Sequence, residues 1–152
     1  MGKKGREIVK LNIQELLEDL NRIYADEWLA HYNYLFAAHL ATGINSPQVA
    51  SLLAQASQEE LGHANRVAER IVQLGGRPIR SISQLEANSN SPEFSMPEDP
   101  RDLEAILEAV LESERGAIGV YQALVAKTRH VDLVTHELAE ELLAEEVADE
   151  EK

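Results

Sequence analysis

Residues 46–78 read SPQVASLLAQASQEELGHANRVAERIVQLGGRP. Ser46-Pro47 marks a helix start, a capping side chain followed by a proline in the first turn. Val49, Leu53, Ala56, Val67, Ile71 and Leu74 then recur on one face until Gly75-Gly76 stops the run, which predicts a helix over 47–74. One position breaks the apolar stripe. Glu60 lies seven residues after Leu53 and seven before Val67 and shares their face, with His63 three further along. Burying an unpaired carboxylate is costly, so a glutamate on this face calls for compensation from outside its own helix.

On the N-terminal side, Asn12 followed by Glu15 reads as a start of capping-box type. Ile13, Leu16, Leu20, Ile23, Ala30 and Tyr34 form a stripe that ends at Gly43, giving a helix over 13–42. On the C-terminal side, residues 75–100 are rich in Ser, Asn and Pro, including Ser81, Asn88, Pro92, Pro97 and Pro100. Such a connection is far longer than the usual ~2–8 residues between neighbouring helices, and it can carry the chain along a bundle so that the second and third helices run parallel. A disordered linker between domains is the alternative reading. Leu103, Leu107, Val110, Ile118, Tyr121 and Val125 mark a third helix over 101–129. Asp132 or Thr135 opens a fourth, 134–152, with Leu138 and Leu142 on its stripe. The expectation is an all-α single domain over 1–152: a four-helix bundle of two antiparallel hairpins joined by a long crossover.

Composition agrees with helices and narrows the chemistry. The 152 residues are 44% hydrophobic and only 5% aromatic. Lys and Arg number 14 against 27 Asp and Glu, a net charge of −13. A field of this sign attracts cations and disfavours nucleic acid and anionic lipid, although Lys3, Lys4, Arg6 and Lys10 form a small basic arm. With no cysteine, thiolate metal sites and iron–sulfur ligation are excluded, leaving carboxylate oxygen and imidazole as donors. Neither a signal-type apolar stretch nor a run approaching ~18 apolar residues is present, so a cytoplasmic location is expected, without membrane partners.

Three more carboxylates interrupt stripes as Glu60 does. Glu27 is seven after Leu20 and seven before Tyr34; Glu114 is seven after Leu107 and seven before Tyr121. Glu146 is four beyond Leu142, and Asp149 follows one helical turn later. The set is one glutamate on each of the first and third helices, with Glu-x-x-His and Glu-x-x-Asp on the second and fourth. Glu27 and Glu60 are separated by 33 residues and Glu114 and Glu146 by 32, so both hairpins place their carboxylates at nearly equal depth. That is the donor set of a dinuclear, oxygen-rich metal site. His31, four after Glu27, could reach the site, though polar packing explains it as well; His39, His130 and His136 have no such spacing. Tyr34 and Tyr121 read as core residues whose hydroxyls meet the carboxylates.

These residues together resemble the non-haem bacterioferritin and archaeal Dps-like branch of the ferritin superfamily. The resemblance covers nearly the whole chain. It is carried by Glu27 with Tyr34, Glu60-x-x-His63, Gly75-Gly76-x-Pro78, Pro97-x-x-Pro100, Glu114 with Tyr121, and Leu143-Ala144-Glu145-Glu146. It implies a ferritin-like bundle in which Glu27, Glu60, His63, Glu114 and Glu146 are di-iron ligands, with the glutamates catalytic. Haem-binding members have a methionine where Leu61 stands, so no haem is expected. Asp149 occupies the position of a second histidine and is either a harder ligand or an exposed charge. The sequence ends three residues beyond Asp149, so a short fourth helix with no fifth is expected.

The function so implied is a ferroxidase: Fe2+ is oxidised with O2 or H2O2 for storage or detoxification inside a homo-oligomeric shell. Manganese or zinc suits the same donors. The competing readings are a dimetal peroxidase or catalase that stores no iron, and a non-catalytic helical interaction module that binds no metal.

Overall fold

The computed structural model describes residues 2–91 and 93–152; Met1 and Pro92, at the N-terminus and within the crossover, lie outside the described residues. Among the described residues six helices follow in order: α1 (Lys3–Glu7), α2 (Ile13–Leu40), α3 (Ser46–Gln73), α4 (Ile82–Asn88), α5 (Leu103–Thr128) and α6 (Leu133–Glu150). No strand occurs among the described residues. The four long helices pair as α2 with α3 and α5 with α6, giving the two hairpins of a ferritin-like bundle. Among the described residues no helix is long and apolar enough to cross a membrane.

The helix ends follow local chemistry. Asn12 Oδ1 accepts from the backbone N–H of Gln14 and Glu15 at 3.0 and 3.3 Å and starts α2. Ser46 does not cap α3 as its sequence suggested. It is the first helical residue, Asn45 is the cap, and the Ser46 hydroxyl donates back to the Gly43 carbonyl at 2.8 Å. α3 closes in a Schellman turn, with Gly76 N–H on Ile71 O at 2.9 Å and Gly75 N–H on Val72 O at 3.0 Å. Gly75 supplies the positive φ of 93°, and at Gly76 a Cβ would collide with the Leu17 side chain. Asp132 is the cap of α6, accepting from Thr135 N–H at 3.2 Å.

Two features depart from the sequence reading. The short α1 was not anticipated, and the crossover is not structureless, because α4 forms inside it and sinks Leu85 against the bundle. Asp26 on α2 fastens the next stretch, accepting from Ser89 Oγ (2.6 Å), Asn90 N (2.7 Å), Asn90 Nδ2 (2.8 Å) and Ser91 N (3.1 Å). On α5, the expected residues Leu103, Leu107, Val110 and Ile118 are half-buried, whereas Ile106 and Leu124, outside the expected stripe, are buried, as are the expected Tyr121 and Val125.

Packing is divided into two apolar layers. One contains Leu16, Leu20, Ile23, Val67, Ile71, Tyr121, Leu124 and Leu142; the smaller contains Ala37, Leu53 and Ile106. Along α2, α3 and α5, Glu27, Glu60 and Glu114 fall between residues of the first layer and residues of the second. The carboxylates therefore sit in a polar slab enclosed by hydrocarbon.

Candidate metal centre

Each long helix contributes to that slab. Glu27 (α2), Glu60 and His63 (α3), Glu114 (α5) and Glu146 (α6) are all buried, and Glu146 has no exposed surface. Ligand atoms of Glu27, Glu60, His63 and Glu146 lie within 4.8 Å of one another, as do those of Glu60, Glu114 and half-buried Asp149. Glu60 belongs to both groups and can bridge them. The helical repeat explains the convergence: seven residues is close to two turns, so each glutamate inherits the inward direction of the apolar residues flanking it.

The hydrogen bonds leave a gap in the middle. Tyr121 donates to Glu27 Oε1 at 2.5 Å and Tyr34 to Glu114 Oε1 at 2.6 Å. His63 Nδ1 faces three carboxylates, 3.0 Å from Glu146 Oε1, 3.4 Å from Glu60 Oε2 and 3.6 Å from Glu27 Oε2. Even so, His63 Nδ1, both Glu146 oxygens and Glu114 Oε2 are buried without a hydrogen-bond partner among the described residues. Buried polar atoms are rarely orphaned, and these four converge. A pair of divalent cations fits them, since the donors are hard oxygens with one imidazole and a single imidazole cannot neutralise four buried carboxylates.

Electrostatics reports the same crowding. Burial first, then the neighbouring Glu27 charge, holds the Glu60 carboxyl well above the carboxylate range. Burial and then the charges of Glu27 and Glu114 push Glu146 to about 9, against the pull of His63. Glu114 is raised by burial, with Asp149 and Glu27 adding to it. Glu27 moves the other way. Burial would raise it, but hydrogen bonding to Glu60, His63 and Tyr121 and the His63 charge outweigh burial. His63 rises despite its burial because Glu146, Glu27 and Glu60 surround it. Without cations the site therefore holds protons in their place.

Sequence reasoning missed the outer support of His63. Its Nε2 donates to Glu145 Oε2 at 3.1 Å, and Arg66 holds Glu145 at 2.7 Å while also reaching Glu141 at 2.5 Å. The signal was available: Arg66 is three residues beyond His63, and Glu145 adjoins Glu146. His31 does not join the centre. It packs against Ser57, with Nδ1 2.7 Å from the carbonyl and 2.8 Å from Oγ. A cleft of about 780 Å³ lies beside Asp26, Phe94 and Glu112 and is separate from the metal-site carboxylates; a smaller opening of about 210 Å³ reaches Glu114 and Asp149.

A model of the ferritin-like domain matches residues 17–152. The chain belongs to the ferritin-like family. Among its ferritin-like relatives, the DNA protection during starvation protein of Pyrococcus furiosus is 31% identical, the match covering 99% of this chain and 82% of that one. The bacterioferritin-related protein of Bacteroides fragilis, described as a dodecameric thioferritin, superposes with a TM-score of 0.90 at 29% identity over 99% of this chain and 89% of that one. A ferritin-like diiron-carboxylate protein of Bacillus anthracis superposes with a TM-score of 0.77 at 25% identity, covering 91% and 92% of the two chains.

Proposed function

We propose that this protein is a ferroxidase: it takes up two Fe2+ per chain at Glu27, Glu60, His63, Glu114, Glu146 and Asp149, and oxidises them with O2 or H2O2 for storage in a homo-oligomeric shell. The observation that carries the reading is the convergence of orphaned buried atoms of His63, Glu114 and Glu146 at the meeting point of four helices. The Bacillus anthracis relative is described as a diiron-carboxylate protein, and the Bacteroides fragilis one as dodecameric. The first description agrees with a dimetal carboxylate site, and the second with a shell of several subunits.

The chain's own residues do three things. Glu27, Glu60 and His63, with Glu146, hold one ion, and Glu60, Glu114 and Asp149 hold the other, so that the shared Glu60 keeps the two at fixed separation. Tyr121 and Tyr34 fix the rotamers of Glu27 and Glu114 by donating to Oε1 of each, which leaves Oε2 for a cation. The raised carboxyls of Glu60, Glu114 and Glu146 give up protons as cations enter. Bound as a pair, ferrous ions supply one electron each to the oxidant. The −13 charge favours collection of Fe2+ and opposes direct contact with DNA.

The test is anaerobic titration of the purified protein with Fe2+, followed by air or peroxide, with mass measured by light scattering and iron by elemental analysis. Two irons bound per chain, then many more retained in a large assembly, is the expected result. Peroxide turnover in a small oligomer that retains no iron would favour the peroxidase or catalase reading, and absence of stoichiometric metal would favour the interaction module.

A further inference from the structure

α3 and α5 face each other across the opening of about 210 Å³, with the last turn of α6 at its rim. Leu52, Leu53, Leu107 and Val110 wall this opening, and Glu114 forms part of its lining with Asp149. The buried Oε2 of Glu114 has no partner, and the ligand atoms of Glu60, Glu114 and Asp149 cluster there. At the rim stands one cation. Lys152 Nζ lies 2.5 Å from Asp149 Oδ1 and 3.1 and 3.2 Å from the two oxygens of Glu59. The other basic residue nearby, Arg115, pairs with Glu112 at 2.7 Å and with Glu150 at 2.9 Å and makes no bond to Asp149.

We propose that Lys152 is an internal competitor for the second cation: its ammonium occupies Asp149 at the mouth of the Glu60–Glu114–Asp149 group and must be displaced before a divalent ion is held there. This deepens the dimetal reading and rests on it.

Three observations argue for competition rather than a passive surface pair. Asp149 is the one member of its group that is not fully buried, so it alone can be shared with the rim. Leu52, Leu53, Leu107 and Val110 wall one side of the opening, so its charged groups, Glu59, Glu114, Asp149 and Glu150 with Lys152, are gathered on the other, where ammonium and divalent ion draw on the same carboxylates. Glu59 gives the displaced ammonium a place to remain, because it is not part of either ligand cluster. The two ion subsites therefore differ: the one built on His63 has no competing cation of this kind, and the one built on Asp149 does. The inferred consequence is ordered uptake, with the His63 subsite filling first.

Calorimetric titration with Zn2+, which binds such donors without oxidation, tests this on the full chain. Wild type is expected to bind two ions with separable affinities. In Lys152→Met the weaker ion binds roughly two- to fivefold more tightly, the range expected when an exposed ion pair is removed from competition, while the tighter ion is unchanged. Lys152→Arg, which keeps the charge, stays near wild type. If wild type binds two ions and Lys152→Met leaves the weaker one unchanged or weakens it, Lys152 is only a helix-end tie and the competition is refuted. Fewer than two ions in wild type overturns the dimetal reading itself.

Discussion

Tyr121 on α5 donates its hydroxyl to Glu27 on α2 at 2.5 Å, and Tyr34 on α2 returns the same bond to Glu114 on α5 at 2.6 Å. Each tyrosine stands seven residues after the glutamate of its own helix and grips the glutamate of the other. The two hairpins are thereby tied to each other through the ligand carboxylates. Burial and the adjacent carboxylates hold both phenols well above their usual range, so both remain donors. Tyr121→Phe and Tyr34→Phe should each cost the cation-free protein ~1.5–3 kcal/mol, the worth of a hydrogen bond to a charged group, read from urea unfolding. Zinc affinity should fall in both. Losses below ~0.5 kcal/mol in both variants would mean the pair does not hold the hairpins together.

The pH dependence of the cation-free protein has a sign set by Glu146. Its folded value of about 9 lies above its ordinary 4.5, so the folded chain keeps a proton that the unfolded chain releases. Stability from this group is complete below 4.5 and is lost as pH rises toward 9, at up to ~1.4 kcal/mol per pH unit. Cation-free protein should thus unfold at lower urea at about pH 8.5 than at about pH 6, and Glu146→Gln should flatten that slope. With saturating Zn2+ the trend should reverse, because protons and cations compete for the same oxygens. A slope identical in wild type and Glu146→Gln would remove Glu146 from this account.

Much of this architecture was legible because helical period and charge conflict at few places. Glu27, Glu60 and Glu114 sat on stripes with apolar residues seven positions away on each side, and heptad spacing is enough to predict their direction. Three kinds of feature were not legible. Ser46 looked like a cap, but the helix began one residue earlier and its hydroxyl found the Gly43 carbonyl instead. α4 was hidden in a run of Ser and Asn whose propensities are weak; a single buried Leu85 and the four bonds to Asp26 help hold that region on α2, and both are tertiary. The partners of charged residues were not assigned either: Arg66 and Glu145 stand close to His63 and Glu146 in sequence, but like Arg70 they look like ordinary surface helix charges until a second helix is placed beside them.

Glu145 is one such residue, and it sets the imidazole. By accepting from His63 Nε2 it leaves Nδ1 directed at Glu146, Glu60 and Glu27, the atom a cation would use. Removing a partner of this kind usually costs ~10–100-fold in metal affinity. Glu145→Ala should weaken binding of the His63-held ion by about tenfold, and Glu145→Gln, which still offers an acceptor, should recover part of it. A chelator competition with Co2+ reads this directly, and its absorption spectrum reports the ligand geometry. Equal affinity in wild type and Glu145→Ala would reduce Glu145 to a surface partner of Arg66.

Arg70 and Asp132 join α3 to the start of α6, about two helical turns along α3 from His63. Arg70 Nη2 meets both Asp132 oxygens at 3.0 Å, and its Nε donates to Thr135 Oγ1 at 2.8 Å, with all three residues buried. Thr135 in turn donates to Asp132. A buried pair adds little net stability against an apolar replacement, but removing one partner strands the other charge. Arg70→Leu should therefore cost ~3–5 kcal/mol in denaturant unfolding. Adding Asp132→Asn, which keeps an N-capping side chain while removing the stranded charge, should restore at least ~1 kcal/mol of that loss. Zinc stoichiometry should remain two per chain in whatever fraction stays folded, since neither residue belongs to the ligand clusters. If the two substitutions instead add with no coupling, the pair is not acting as a pair, and Asp132 serves α6 only as its cap.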